Sequence, residues 1–408
     1  MPEFFAQARF PKPEFTSGYE YPEMGLPDYW FSDDWLKLAA YAALLALAFF
    51  GIYRMRSRRF MALCCVAAVA VMGFYWKGCP CPIGLTQNTA AFLADADAPY
   101  PFVFFAIFSL PILAAVFFGR IFCGGACPLG AVQELVFFRE LRVPLALDWT
   151  LRLLPFFVLG ASVALACAGG PFIACMFDPF VPLFRMGAPF YMAVFCAAAL
   201  AASVFISRPY CRYLCPYGVI LRLASALSSR KVSIAPGKCV NCNLCASACP
   251  NGAIIPPSSG MAFEDPEEGR ARVKRLVSLA PLFVLAGALA GFAFGAAVSG
   301  FHPTPSLLRE VEAGVSNVDT DAFMASGAGI DTLRALAASA EWRLRAGFAF
   351  AGAFTALAAC FEAVNSARRR GGDSYEVDMG RCVCCGRCYD ACPDEILRRK
   401  GAAGEAGK

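Results

Sequence analysis

Seven apolar runs divide this 408-residue chain, and each is close to the ~20 residues that an α-helix needs to cross a bilayer. They fall at about 36–53, 60–77, 102–119, 152–170, 189–206, 277–299 and 346–364. A chain that is 58% hydrophobic and 16% charged is too apolar for an ordinary globular protein. Lipid offers no partners to backbone N–H and C=O groups, so runs of this length fold as helices. The expected fold class is therefore a membrane all-α bundle of about seven transmembrane helices.

Basic residues orient the bundle. Arg54, Arg56, Arg58 and Arg59 follow the first run, and Arg120, Arg139 and Arg142 follow the third. Arg208, Arg212, Arg222, Arg230 and Lys231 follow the fifth, and Arg368, Arg369 and Arg370 follow the seventh. The intervening loops are poor in Lys and Arg, so the positive-inside rule puts the N-terminus outside and the C-terminus in the cytoplasm. The expected setting is the inner (cytoplasmic) membrane, crossed many times. Residues 1–34 lack a basic n-region and read as an external tail rather than a cleavable signal. The loop at about 300–345 reads as external and partly helical, and 401–408 as disordered.

Two stretches share one cysteine spacing. Lys238-Cys239-Val240-x-Cys242-x-x-Cys245-x-x-Ala248-Cys249-Pro250 is matched by Arg381-Cys382-Val383-x-Cys385-x-x-Cys388-x-x-Ala391-Cys392-Pro393. This is the bacterial ferredoxin pattern, in which three close thiolates hold one [4Fe–4S] cluster and the fourth Cys ligates the other motif's cluster. Structural zinc sites favour two separated Cys pairs instead. The pattern assigns Cys239, Cys242, Cys245 and Cys392 to one cluster, and Cys382, Cys385, Cys388 and Cys249 to the second. Such thiolates require a reducing compartment, and the charge-based topology puts both motifs in the cytoplasm. The expectation is a small cytoplasmic α+β ferredoxin-like lobe formed by split motifs. The insert between them contains two apolar runs, so its ends return to one side. Cys384 reads as a spare thiol.

A second spacing repeats in the membrane core. Arg120-Ile121-Phe122-Cys123-Gly124-Gly125-Ala126-Cys127-Pro128-Leu129-Gly130 recurs as Arg208-Pro209-Tyr210-Cys211-Arg212-Tyr213-Leu214-Cys215-Pro216-Tyr217-Gly218. Each copy closes a helical hairpin, which implies a pseudo-two-fold hairpin repeat, and Cys at i and i+4 shares a helical face. Cys123, Cys127, Cys211 and Cys215 can together ligate a further metal or cluster, or form two reversible disulfides. The plainer reading is packing as small apolar residues. A looser outer set, Cys79, Cys81, Cys167 and Cys175, reads either as a relay or metal site or as ordinary disulfides. Cys64, Cys65, Cys196 and Cys360 read as buried small residues. A single histidine, His302, excludes a bis-His haem and reads as a surface residue.

The ordered combination of two C-x3-C-P motifs and two ferredoxin motifs resembles the NapH/NosR group of membrane polyferredoxins, over roughly 55–255 and 380–397. Phe177-Asp178-Pro179-Phe180 resembles the short acidic-Pro turn of that group. The resemblance implies a membrane iron–sulfur component of anaerobic-type respiration, related to quinol dehydrogenase subunits. It would pass electrons between the quinol/quinone pool or a cytoplasmic donor and an extracytoplasmic redox partner protein, with no nucleic acid involved. Three departures stand out: no large external flavin-binding domain, an additional first helix, and a helical hairpin between the ferredoxin motifs. Ser326-Gly327-Ala328-Gly329 has Gly329 where a flavin-attachment motif needs Thr, which argues against covalent FMN. The alternatives are a maturation factor that reduces a metal for a respiratory enzyme, or a thiol-based redox sensor. The resulting organisation is an external tail (1–34), a first helix with its basic loop (35–59) and a four-helix core (60–230). The first ferredoxin half-motif (231–275), a transmembrane hairpin (276–365), the second half-motif (366–400) and the tail (401–408) follow.

Overall fold

The computed structural model describes residues 33–78, 81–94, 101–141, 143–234, 239–257, 265–367 and 375–405. Cys79, Arg142, Lys238, Arg368–Arg370 and nearly all of the expected external tail lie outside them. The described chain is mostly helical. Five helices are long and apolar enough to cross a membrane: Asp34–Met55, Arg58–Tyr75, Ala146–Cys167, Glu267–Ser299 and Ile330–Ala367. The third and fifth apolar runs form shorter helices, Phe102–Phe118 and Phe190–Phe205, of 17 and 16 residues.

The last two long helices extend well beyond their apolar stretches. Pro266–Ser299 starts about eleven residues before the apolar run, because Asp265 caps the Glu267 N–H at 3.2 Å and Pro266 occupies the first helical position. Ile330–Ala367 has 38 residues, about 57 Å at ~1.5 Å per residue, so it projects beyond a ~30 Å hydrocarbon core. Hydropathy registers only the lipid-matched part of such helices.

Glycine spacing sets how these two helices pack. Gly287, Gly291 and Gly295 recur every four residues on the first helix, facing Gly352, Phe348 and Arg345 on the second. A β-carbon at Gly287 would lie 2.7 Å from the Gly352 carbonyl oxygen, and one at Gly295 2.8 Å from the Arg345 Cα. This small-residue stripe lets the backbones meet where lipid supplies no hydrophobic drive. The pair then joins the Leu154–Cys167 helix through Gly160 against Ala351 and Gly347 against Ala164. Leu282, Phe283, Leu285 and Leu289 remain exposed, as a lipid-facing surface requires.

Three short helices run within the core: Pro82–Ala94, Pro128–Val136 and Pro216–Ala226. Each starts at a proline directly after a cysteine, at Cys81, Cys127 and Cys215. They are too short to read as spans, so hydropathy alone does not reveal them.

The insert brings its ends back together. Ile254–Ile255 pairs antiparallel with Glu376–Val377, Ile254 opposite Val377, and the Asp378 N–H donates to the Ala253 carbonyl at 2.7 Å. The Leu244–Ser247 and Arg387–Ala391 helices of the two cysteine motifs pack against each other. The Pro393–Glu405 helix carries the chain through residue 405, into the stretch expected to be disordered. Asp394 and Glu395 in its first turn favour the start of that helix.

His302 departs from its expected surface position. It is 4% exposed, its Nε2 donates to the Ala168 carbonyl at 3.2 Å, and its Nδ1 accepts the Thr304 N–H that starts Pro303–Glu312. A helix cap on one ring nitrogen and a carbonyl on the other account for the residue structurally.

Replacing Gly291 by Leu is expected to force the two long helices apart and cost roughly 1–3 kcal/mol, read as a lower thermal midpoint in detergent. Gly269→Ala, at a helical position with no atom within 4 Å of an added β-carbon, should hold or raise the midpoint, because Ala favours the helix over Gly.

Candidate metal centres

The two ferredoxin motifs share one backbone solution. Asn241 and Asn243 in the first motif have φ of 53° and 59°, and Cys384 and Gly386, at the equivalent positions of the second, have φ of 52° and 77°. This left-handed backbone wraps the loop so that its cysteines face inward. Asn and Gly tolerate it and Cys does not, so Cys384 occupies a position that costs about 1 kcal/mol.

The cysteines gather in two sets of four. Cys239, Cys242, Cys245 and Cys392 line one cavity, with Tyr375 and Pro393 in its wall. Cys249, Cys382, Cys385 and Cys388 line a second, with Cys384 beside them. Each set takes three cysteines from one motif and the last from the other. The Ala253 N–H donates to Cys249 Sγ and the Cys384 N–H to Cys382 Sγ, both at 3.4 Å. The Cys384 thiol and N–H, aided by Arg120, pull the Cys382 thiol below its ordinary value against the effect of burial. Burial pushes Cys385 up to about 12. A buried thiol of that kind keeps its proton until a metal replaces it. Among the described residues, no group of three or more His, Cys, Asp or Glu side chains is arranged to hold a single metal ion. A cubane makes a different demand, because each of its cysteines binds a different iron.

The C-x3-C-P repeats also share a backbone solution. The Cys127 N–H donates to the Phe122 carbonyl and the Cys215 N–H to the Tyr210 carbonyl, both at 2.9 Å and both across five residues. In the first repeat the segment between the cysteines is a wide turn, and in the second the helix Pro209–Tyr213 stops before Cys215, so neither pair sits on one continuous α-helix. Cys127 and Cys215 are extended, and the following Pro starts a helix. A β-carbon at Gly130 would lie 3.0 Å from the Cys123 carbonyl oxygen, and one at Gly218 3.4 Å from that of Cys211. The glycine three residues after the second Cys therefore makes room for the carbonyl of the first.

Polar side chains tie the repeats to each other and to the ferredoxin motifs. Gln133 donates to Cys211 Sγ at 3.2 Å and accepts the Tyr210 N–H at 3.0 Å. Arg208, 2% exposed, donates to the Cys123 and Gly124 carbonyls and pairs with Glu134 at 3.0 Å. Glu134 also holds Arg387 of the second ferredoxin motif at 2.6 Å. Arg120 donates to the Cys382 carbonyl at 3.1 Å, and Arg212 and Arg152 donate to the Pro250 and Asn251 carbonyls of the first motif. Burial alone would raise the Glu134 carboxyl, but Arg208 and Arg387 outweigh it and hold it below its ordinary range.

Cys123, Cys127, Cys211 and Cys215 line one cavity, and Cys81 lines it too. The sequence groups Cys81 with the outer set; among the described residues of that set it meets Cys175, with Cys81, Cys127, Cys175 and Asp178 lining an adjoining cavity. Cys167 lines neither, its thiol lying 3.5 Å from the Ala90 carbonyl. Cys64, Cys65 and Cys196 are buried, and Cys360 is partly so. Sequence reasoning missed that Cys81-Pro82-Ile83-Gly84 matches Cys127-Pro128-Leu129-Gly130 and Cys215-Pro216-Tyr217-Gly218. That third Cys-Pro-x-Gly was the available signal for placing Cys81.

A family model described as "4Fe-4S binding domain" matches residues 100–145 and 188–235, around the two C-x3-C-P turns. A second model of the same description matches 232–255, around the first ferredoxin motif. On a bundle with membrane-length apolar helices, these domains define an iron–sulfur, ferredoxin-type membrane protein. The chain is similar to protein NirI of Paracoccus denitrificans, 35% identical over 38% of this chain and 24% of NirI. It is also similar to YccM of Escherichia coli, named as an electron transport protein, 33% identical over 34% of this chain and 44% of YccM. The regulatory protein NosR of Pseudomonas aeruginosa is 31% identical over 37% of this chain and 23% of NosR. The chain thus spans less than half the length of each of these relatives. No solved structure matches it.

Two outcomes test this geometry. Cys384→Asn, which copies the Asn241 position, is expected to keep the full iron content; a loss of four iron atoms would make Cys384 a ligand. Glu134→Gln leaves the guanidinium groups of Arg208, Arg387 and the more distant Arg58 without their shared carboxylate and is expected to cost about 3 kcal/mol. Because the folded-state value of Glu134 is depressed, its stabilisation is complete above about pH 4.3, the unfolded carboxylate value, and drains as pH falls through the folded value. Thermal midpoints measured against pH should therefore fall less steeply on acidification in Glu134→Gln than in the wild type.

Proposed function

We propose that this protein is a multi-pass electron-transfer component carrying two [4Fe–4S] clusters on the cytoplasmic face of a bacterial-type inner membrane. Cluster one is held by Cys239, Cys242, Cys245 and Cys392, and cluster two by Cys382, Cys385, Cys388 and Cys249. The observation that carries this reading is the formation of two four-cysteine cavities, each with three thiols from one motif and one from the other. That exchange of the fourth cysteine is how paired ferredoxin motifs share clusters. The clusters would supply one-electron chemistry. The residues around them set its conditions: N–H groups donate to the sulfurs of Cys249 and Cys382, and burial limits solvent access.

The bundle is read with seven crossings, the two shorter apolar helices included, the N-terminus outside and the C-terminus inside. Basic residues at one set of helix ends support this orientation. Electrons then pass between the quinol pool, or a cytoplasmic donor, and an extracytoplasmic acceptor in anaerobic-type respiration. The similarity to YccM, named for electron transport, supports the electron-transfer part of this reading.

EPR of the anaerobically purified protein tests the cluster assignment. Cys239→Ser and Cys392→Ser are expected to remove the same signal, and Cys249→Ser and Cys382→Ser the other one. Loss of different signals by Cys239→Ser and Cys392→Ser would falsify the shared ligation. Reduction of the clusters by a quinol analogue within seconds is the expected sign of a conduit. Stoichiometric, slow reduction of copper without quinol reaction would instead indicate a maturation factor, and reversible thiol oxidation that alters only partner binding would indicate a sensor.

A further inference from the structure

We propose that Arg120 is a positioning residue for charge: its guanidinium raises the reduction potential of the cluster assigned to Cys249, Cys382, Cys385 and Cys388, so that an electron in the lobe rests on the cluster nearest the bundle. The proposal rests on the ferredoxin reading and adds to it a direction of electron movement. Gly119, directly before Arg120, ends the Phe102–Phe118 helix with φ of 71°. A β-carbon on it would collide with the Met379 methyl group and lie 3.8 Å from Cys384 Sγ. The glycine thus lets the helix end meet the second ferredoxin motif. Arg120 enters the seam between them, 9% exposed, and its Nε donates to the Cys382 carbonyl at 3.1 Å. A positive charge is thereby tied to the backbone of a cluster ligand. Gly124 closes the same seam, where a β-carbon would lie 2.7 Å from the Cys384 carbonyl oxygen.

The other cations around this cluster have carboxylate partners. Arg387, Arg208 and Arg58 share Glu134. Arg222 and Arg381 share Glu362, and Arg381 also reaches Asp378. Among the described residues Arg120 enters no ion pair, so its charge is left uncompensated beside Cys382. A charge with little water around it acts more strongly than one at a surface. The first cluster has a different setting. Lys231, Glu376 and Asp394 line its cavity, and Cys239 and Cys242 are exposed, so water and salt screen the charges there.

Reduction of a [4Fe–4S] cluster from 2+ to 1+ adds one negative charge and no proton. Burial by itself disfavours that charge and lowers the potential of the second cluster. A fixed cation beside a ligand favours it, as do N–H groups on the sulfurs, which Cys249 and Cys382 accept. Of these favourable contributions only Arg120 carries a full charge, and it offsets the burial. The step is the passage of one electron. The cluster on Cys239, Cys242, Cys245 and Cys392 is oxidised from 1+ to 2+, and the cluster on Cys249, Cys382, Cys385 and Cys388 is reduced from 2+ to 1+, with no bond or proton exchanged. An electron delivered to the exposed cluster by a soluble one-electron donor therefore moves towards the bundle.

The test is an EPR-monitored redox titration of the full chain, purified anaerobically in detergent. Each ferredoxin signal is assigned by its loss in Cys239→Ser or in Cys382→Ser. In the wild type the second cluster is expected to be reduced at the higher potential. Arg120→Gln keeps a donor for the Cys382 carbonyl and removes the charge. It should make the second cluster at least tenfold harder to reduce, about 59 mV for one electron, and leave the first cluster unmoved. Arg120→Lys keeps the charge and should hold most of the wild-type potential. A second cluster that titrates below the first in the wild type overturns the proposal. So does Arg120→Gln with an unmoved second cluster, or with both clusters shifted alike. A fall in Arg120→Lys as large as in Arg120→Gln assigns the effect to guanidinium packing and overturns it too. If Arg120→Gln loses iron, the wild-type order and Arg120→Lys decide. Failure of the ferredoxin reading gives a different result: Cys239→Ser and Cys382→Ser would leave the iron content unchanged.

Discussion

Much of the arrangement depends on one carboxylate. Glu134 lies between Arg208 of the second C-x3-C-P repeat and Arg387 of the second ferredoxin motif. Its own helix starts directly after Cys127 of the first repeat. It therefore joins both C-x3-C-P turns and the second ferredoxin motif at one point. A buried ion pair adds little to net stability over an apolar contact, but its loss is costly, because it leaves charge in a site that cannot solvate it. Arg208 is also bonded to the Cys123 and Gly124 carbonyls, so the same pair that docks the lobe fixes the turn carrying the cysteines.

The split of the ferredoxin motif follows from how the hairpin packs. A stripe of Gly287, Gly291 and Gly295 brings two long helices into backbone contact, and Gly160 and Gly347 bind the pair to the core. Two helices of similar length, held antiparallel, bring both ends of the insert back to one side. The strand pair of Ile254–Ile255 with Glu376–Val377 closes there, together with the two small helices of the motifs. The hairpin thus keeps the two half-motifs joined while anchoring the lobe against the bundle.

Some of this was legible in the residues. Apolar run length gave the helices, because lipid leaves the backbone no other partners. The 2-2-3 cysteine spacing gave the chemistry, because the wrapping of a cube is a local property of one loop. The match between Cys384 and Asn241, both left-handed, is also local and follows from the alignment of the motifs. The short helices at Pro82, Pro128 and Pro216 were not legible, since no run length distinguishes a helix that ends inside the core from a loop. Nor was the place of Cys81, which linear position groups with the outer cysteines, nor that of His302, whose burial depends on a carbonyl 134 residues away in the chain.

The sequence by itself determined that the chain is a helical membrane protein bearing two ferredoxin motifs and a repeated cysteine turn, because hydropathy, charge asymmetry and motif spacing act over a few residues. Only the tertiary structure decided which cysteines meet. Cys392 faces Cys239, Cys249 faces Cys382, and Cys81 joins the two C-x3-C-P turns on one cavity lined by arginines. Those meetings depend on glycine contacts and ion pairs between segments far apart in the chain, and no local pattern encodes them.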